Sequence, residues 1–291
     1  MNRIDISLQK YLAFITTVEC GSLTRAAERL HYSQSAISRM IADLENELDL
    51  SLLERDRNGV TLTSDGEMLL PCARDVVNGC RKLMMQADSL KGLRSGMIRI
   101  ATFSSTATHW LPNIIREFQK DYPAVDYELL LGDYEEIERW VQEGRADCGF
   151  TRLPVPPDLE TVPLEQDPFM AIVPEGHPLA SEKEFDAAWF EREPFLLLEH
   201  GKKAEVSEYL EQHSLHPKIH FTTWDDYAIM SMVEGGLGLS ILPSLILQRI
   251  PYRIRAIPLK VPLSRSIGLV MKSRKSLSIA AGTFLDYLKY R

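Results

Sequence analysis

Residues Gly21 to Arg55, GSLTRAAERLHYSQSAISRMIADLENELDLSLLER, constrain the fold more than any other stretch of the chain. They read as two short helices joined by a tight turn. Ser22 is placed to cap the first helix, whose Ala26, Ala27 and Leu30 share one face. The paired alanines let a neighbouring helix approach closely. Ser33 is placed to cap the second helix, on which Ile37, Ile41, Leu44 and Leu48 recur at helical spacing. Leu8, Leu12, Ile15 and Val18 supply a preceding third helix that closes a small core. Gln34, Ser35, Ser38 and Arg39 lie off the apolar stripe at the start of the second helix. A helix-turn-helix presents such groups to a major groove. There Gln can pair with adenine, Arg with guanine or a phosphate, and Ser with a base or the backbone.

The next segment continues the pattern. Glu54 to Thr63 carries Gly59 at a turn, and Val60 and Leu62 alternate with Thr61 and Thr63, as in a small β-wing bearing Arg55 and Arg57. Residues 1–60 hold seven Lys or Arg against nine Asp or Glu, where a nucleic-acid-binding domain is usually basic. The acids gather at Asp43 to Asp49, late in the second helix, and leave Arg29, Arg39, Arg55 and Arg57 to share a different face. Residues 64–92 then read as one long helix. Its Leu69, Ala73, Val76, Cys80, Leu83, Ala87 and Leu90 form a heptad-like seam suited to pairing with a second copy. Pro71 should cost or bend its first turns, and Gly92 and Gly96 mark a hinge.

The remainder reads as an α/β body. Residues 97–103 form a strand followed by the polar corner Ser104-Ser105-Thr106 and a helix to about Asp121. A strand over Val125, Tyr127, Leu129 and Leu131, a helix from Tyr134 to Glu143 and a strand from Asp147 to Thr151 complete a βαβ pattern on a largely parallel sheet. Strands at 169–173, 195–198 and 218–223, with helices near 204–213 and 225–234, suggest a second such unit. The strand at 267–271 and helix at 277–289 return to the first. Two such lobes leave a cleft, and small ligands favour that location.

Taken together, AFITTVECGSLTRAAERLHYSQSAISRMIADLENELDLSLLERD, the wing and the following LTSDG make the chain resemble LysR-type transcriptional regulators over essentially its full length. The resemblance implies an α/β protein with an N-terminal winged helix-turn-helix and a two-lobed, periplasmic-binding-protein-like (type 2) effector domain. It implies a DNA-binding head at 1–63, a linker and dimerisation helix at 64–92 and a regulatory body at 93–291. Lobe I then covers about 93–162 and 268–291, and lobe II about 163–267. Its DNA-contact positions fall on Thr24, Gln34, Ser35, Ser38 and Arg39, with Arg29 and Arg57 near the backbone. Its effector positions fall on Thr102, Ser104, Ser105, Thr151, Arg152, Thr222 and Thr223. Backbone amides at Ser104 to Thr106 and a bidentate Arg152 would suit a small anionic metabolite. The expected partners are double-stranded promoter DNA at dyad sites, a second copy of the chain in a homodimer or homotetramer, RNA polymerase and the small-molecule effector.

Other classes are less well served. There is no nucleophile elbow, HExxH or acid–base pair tied to an element junction, so no enzyme is expected. Cys20, Cys72, Cys80 and Cys148 form no CxxC pair. In the resembled family, peroxide sensors use two cysteines of the body, where this chain has only Cys148. His213, His216 and His220 straddle Pro217 and read as a solvated loop, not a metal site. The glycines of EGGLGLSILP, 234–243, read as a tight helix-to-strand turn, since no Lys-Ser/Thr pair follows. No signal peptide or membrane-length apolar run is seen, so a cytoplasmic protein without a cofactor or membrane partner is expected. A formal charge of −8 requires any DNA contact to be local.

Overall fold

The computed structural model describes residues 7–56, 59–90, 96–199 and 205–291, in two compact units that divide between Leu90 and Lys91. The first unit opens with α1 (Leu8–Cys20), α2 (Leu23–Leu30) and α3 (Gln34–Leu48). Ser22 accepts from the Arg25 amide and Ser33 from the Ala36 amide, so both caps form where the sequence places them. The turn between α2 and α3 closes through His31 in the left-handed region (φ 59°) instead of through a glycine. Ala26, Ala27, Ile37, Ile41 and Leu44 are buried with Ala13 and Phe14 of α1 in one core.

Strands β1 (Leu53–Asp56) and β2 (Gly59–Leu62) pair antiparallel as the wing. The wing is moored by the Val60 amide, which donates to the Gly21 carbonyl at 3.1 Å. Helix α4 (Ser64–Leu90) runs through Pro71. Its Leu70, Ala73 and Val77 join the core of this unit. Met68, Val76, Leu83 and Met84 stay exposed. The expected seam therefore divides, because Ala73 faces inward while Val76 and Leu83 face out; Leu90's side chain lies outside the described residues.

The second unit begins with β3 (Gly96–Thr102), α5 (Ser104–His109), α6 (Leu111–Asp121), β4 (Val125–Leu131), α7 (Tyr134–Gln142) and β5 (Cys148–Leu153). It continues through β6 (Glu160–Pro174), β7 (Phe195–Leu198), α8 (Glu205–Gln212), β8 (Ile219–Thr223), α9 (Asp226–Glu234) and β9 (Ser240–Pro243). Strands β10 (Ile254–Pro258) and β11 (Ser264–Met271) and helix α10 (Ile279–Phe284), extended by a 3₁₀ turn, complete it. The main sheet runs β10-β6-β11-β5-β3-β4, with β9 also on β6, and β7 pairs with β8. The pairs β3–β4, β3–β5 and β7–β8 are parallel, whereas β11 lies antiparallel to both β5 and β6. The sheet is thus mixed instead of largely parallel, because the returning strands enter from the other end.

Strand β6 is longer than the expected 169–173. Its first part pairs with β11 in the first lobe and its last part with β9 and β10 in the second. Strand β11 likewise begins three residues before the expected Ile267, at Ser264. These two strands carry the chain between lobes whose cores are separate clusters, one around Phe118 and Phe150 and others around Phe190 and Ile229. Gly238 (φ 159°) makes the helix-to-strand turn before β9, and a Cβ there would meet the Pro194 carbonyl at 2.5 Å. That close approach accounts for a glycine in a loop with no phosphate-binding geometry.

Candidate functional site

Two sites emerge, one in each unit. In the first, α3 exposes Gln34, Ser35 and Arg39 and half-buries Ser38, while Ile37 and Ile41 are turned into the core. The cap at Ser33 fixes the start of α3, and Ser35 shares a hydrogen bond of 3.0 Å with the Ser33 hydroxyl. Thr24 and Arg29 are exposed on α2. Arg29 lies 3.3 Å from Glu19, so part of its charge is already balanced. Arg55 of the wing donates to the Ser38 hydroxyl at 3.1 Å and ties β1 to the polar face of α3. That contact makes Arg55 a member of this face, which the positions carried over from the family resemblance omit. Arg57 lies outside the described residues.

The second site is a cavity of about 290 Å³ between the two lobes of the body. Ser104 and Ser105 line it from one side, and Glu205, Trp224 and Asp226 from the other. Arg265 forms its floor. The guanidinium donates from Nε and one terminal nitrogen to Asp167 (2.9 and 2.7 Å), and to Tyr134 (2.7 Å) and Ser105 (2.8 Å). It also lies over the rings of Phe103 and Phe169, at 4.8 and 5.7 Å from their centroids. Asp167 is directly opposite Arg265 in the β6–β11 ladder, and its other oxygen accepts from the Ser244 hydroxyl and the Leu245 amide. Side-chain exposures of 6% and 2% make this a buried ion pair with its partners supplied. Burial pulls the Arg265 pKa down, but Tyr134, Asp167 and Glu205 outweigh it and hold the charge firmly. Burial also pushes the Asp226 carboxyl up, partly offset by Arg265 and by a hydrogen bond from Ser104.

The other expected effector positions lie elsewhere. Thr102 is buried, sharing a 2.7 Å hydrogen bond with Thr106. Thr151 is buried with its hydroxyl unpartnered. Arg152 does not line the cavity; it sits 3.7 Å from both Glu205 and Glu208. Thr222 is exposed on β8, and Thr223 accepts from the Asp225 amide. Arg265, Asp167 and Tyr134 escape sequence reading because the ion pair joins residues 98 apart. The one available signal is an arginine at the start of the apolar run SIGLVM.

The remaining candidates are quiet. The four cysteines are free, and burial pushes the Cys148 thiol up, away from reactivity. Among the described residues no His, Cys, Asp and Glu cluster could hold a metal, and no helix is long and apolar enough to cross a membrane.

A helical head with an exposed polar recognition helix, joined to a two-lobed body with a ligand-sized cleft, defines a DNA-binding regulator. The comparisons fix the family. Residues 8–67 match the profile of the bacterial regulatory helix-turn-helix protein, lysR family, and residues 91–291 that of the LysR substrate binding domain. The probable HTH-type transcriptional regulator LrrA of Synechococcus elongatus is 34% identical, over 94% of this chain and 92% of its own. The uncharacterized regulator YvbU of Bacillus subtilis is 30% identical, over 98% of both chains. Among solved structures, a full-length OxyR variant from Pseudomonas aeruginosa shares the fold with a TM-score of 0.72 at 22% identity, covering 97% of this chain and 94% of that one. The chain belongs to the LysR family of DNA-binding transcriptional regulators.

Proposed function

We infer that this protein is an effector-responsive regulator that acts as an oligomer on promoter dyads. Gln34, Ser35, Ser38 and Arg39, with Thr24 beside them, read the major groove, and Arg29, Arg55 and Arg57 contact phosphates. The exposed polar start of α3, capped at Ser33 and braced by Arg55, is the observation that carries this reading. The unburied side of α4, with Val76 and Leu83, supports pairing of two chains, and a homotetramer would extend that pairing. A small metabolite in the inter-lobe cavity favours one arrangement of the lobes. Pairing between chains passes that preference to the heads, and hence to DNA bending and contact with RNA polymerase in the cytoplasm. Switching requires different effector affinity in the two arrangements.

Capture of genomic DNA by the purified full-length protein, set against Gln34→Ala/Arg39→Ala, tests the head. The expected result is enrichment of one dyad-like site that the double variant loses, with a fall in affinity of about a hundredfold. Equal enrichment by the variant would show that another surface reads the DNA.

A further inference from the structure

The head carries more acid than base, and its carboxylates are put to internal use. Glu47 pairs with Lys10 of α1, and Glu19 with Arg29 of α2. Glu45, late in α3, is used differently. Its backbone carbonyl accepts from the Asp49 and Leu50 amides where α3 ends, with Asp49 in the left-handed region (φ 56°). Its half-buried carboxylate then reaches past that turn. The Oε1 atom accepts from the Leu52 amide at 2.7 Å and from the Leu53 amide at 3.2 Å. Hydrogen bonds to an ionised acceptor are about twice as strong as neutral ones.

The segment that Glu45 grips is the root of the wing. Leu53 opens β1, and Thr63, just past β2, holds the same root from the other side. The Thr63 hydroxyl donates to the Ser51 carbonyl at 2.6 Å, and its amide donates to the Leu52 carbonyl at 3.1 Å. The root thus has its carbonyls held by the far end of the wing and its amides held by α3. Leu52 and Leu53 are buried, so amides released there would lose their partners at a cost. Two residues on, Arg55 is exposed and donates to Ser38 of α3. An exposed bond to a hydroxyl contributes little by itself. The half-buried root therefore decides where Arg55 stands.

We propose that Glu45 is a positioning residue for DNA binding: its carboxylate, on the Leu52 and Leu53 amides, sets β1 against α3 so that the wing meets phosphates while α3 enters the groove. The inference rests on the reading of the head as the DNA-contacting surface and adds a residue that acts through the wing. It also reverses a simple electrostatic expectation. Removing a carboxylate from a DNA-binding head relieves repulsion of the phosphates and should tighten binding. A positioning carboxylate gives weaker binding when its reach is lost and little change when only its charge is lost.

The test follows binding of the full-length protein to mixed-sequence duplex DNA as salt rises, because the logarithmic salt slope counts the phosphates neutralised. Arg55→Ala should lower that slope by about one. Glu45→Asp keeps the charge but draws the carboxylate back by a methylene; it should lower the slope as far, with affinity about three- to tenfold weaker at fixed salt. Glu45→Gln loses the charge but keeps an oxygen within reach of both amides, and should retain the parent's slope. Adding Arg55→Ala to Glu45→Asp should cost no more than Glu45→Asp alone. Hydrogen-exchange protection of α1 to α3 should be the same in Glu45→Asp as in the parent. Tighter binding by Glu45→Gln with parental binding by Glu45→Asp would overturn the proposal, as would full additivity with Arg55→Ala. Protection of α1 to α3 lost in step with DNA binding would overturn it too, by making Glu45 a residue of the fold alone. An unchanged slope in Arg55→Ala would show that Arg55 stands off the phosphates, and would remove the contact assigned to it above together with this inference.

Discussion

The head and the body use polar residues in opposite ways. In the head, Gln34, Ser35 and Arg39 stand in solvent on a small apolar core, and their neighbours are set by a turn or two of chain. In the body, Arg265, Asp167, Asp226 and Ser105 are buried and meet only because long strands bring distant segments together. The exposed set costs the fold little and is available to any partner that fits. The buried set is costly unless each group is paired, so it ties lobe geometry to local charge. On the proposed function the exposed surface would read DNA and the buried network would bias the lobes, so each can be altered with limited effect on the other.

Breaking the buried network should give the largest effect. Arg265→Met leaves Asp167 with two neutral donors in place of four hydrogen bonds, and removes the contacts to Ser105 and Tyr134. Truncating one partner of a buried ion pair costs about 3–5 kcal/mol. Hydrogen exchange on the full-length chain should show that loss in β6 and β11, with protection in α1 to α3 unchanged. Exchange that rises equally in both units would dissolve the contrast between them. A second replacement, Asp167→Leu, should recover part of the loss, because it removes the stranded charge.

The same contrast explains what the sequence makes legible. The head is nearly all local signal: caps at Ser22 and Ser33, alanines at 26 and 27, and apolar residues every three or four places specify α2 and α3 outright. Even there, His31 in the left-handed turn was not foreseeable, since its conformation is imposed by the packing of two helices. In the body the alternation of strands and helices is visible, but the direction of β11 is not. Pairing register depends on partners about a hundred residues away, and with it the meeting of Arg265 and Asp167. Family likeness put Ser104 and Ser105 at the cleft, while Arg152 stands behind its lining, 3.7 Å from Glu205 and from Glu208 of α8. Hydroxyls at a strand end stay put across a fold, whereas a long cation goes wherever its carboxylates are.

An intermediate effect is expected at the wing. Gly59 has φ 139°, and a Cβ there would lie 2.7 Å from the Gly21 carbonyl, which also accepts from Val60. Gly59→Ala should therefore cost about 1–3 kcal/mol in the head, through strain and a displaced wing. Because Arg55 travels with the wing to Ser38, operator affinity should fall as well, with hydrogen-exchange protection of β6 and β11 in the body unchanged. Full operator affinity in this variant would show that the wing is only a strut.

The smallest effect is a slope. Burial raises the Asp226 carboxyl above its unfolded value, with Asp225 adding to the rise and Arg265 and Ser104 opposing it. The folded chain therefore holds that proton to higher pH than the unfolded chain does. The associated stability is complete below the unfolded pKa and is lost as pH rises through the folded one. Asn resembles the neutral acid and keeps an acceptor for Ser104, so Asp226→Asn should match the parent at low pH and gain on it as pH rises. Thermal midpoints of the two full-length proteins across the acidic range would check this. A flat difference would mean that Arg265 and Ser104 together offset the burial of Asp226 in full.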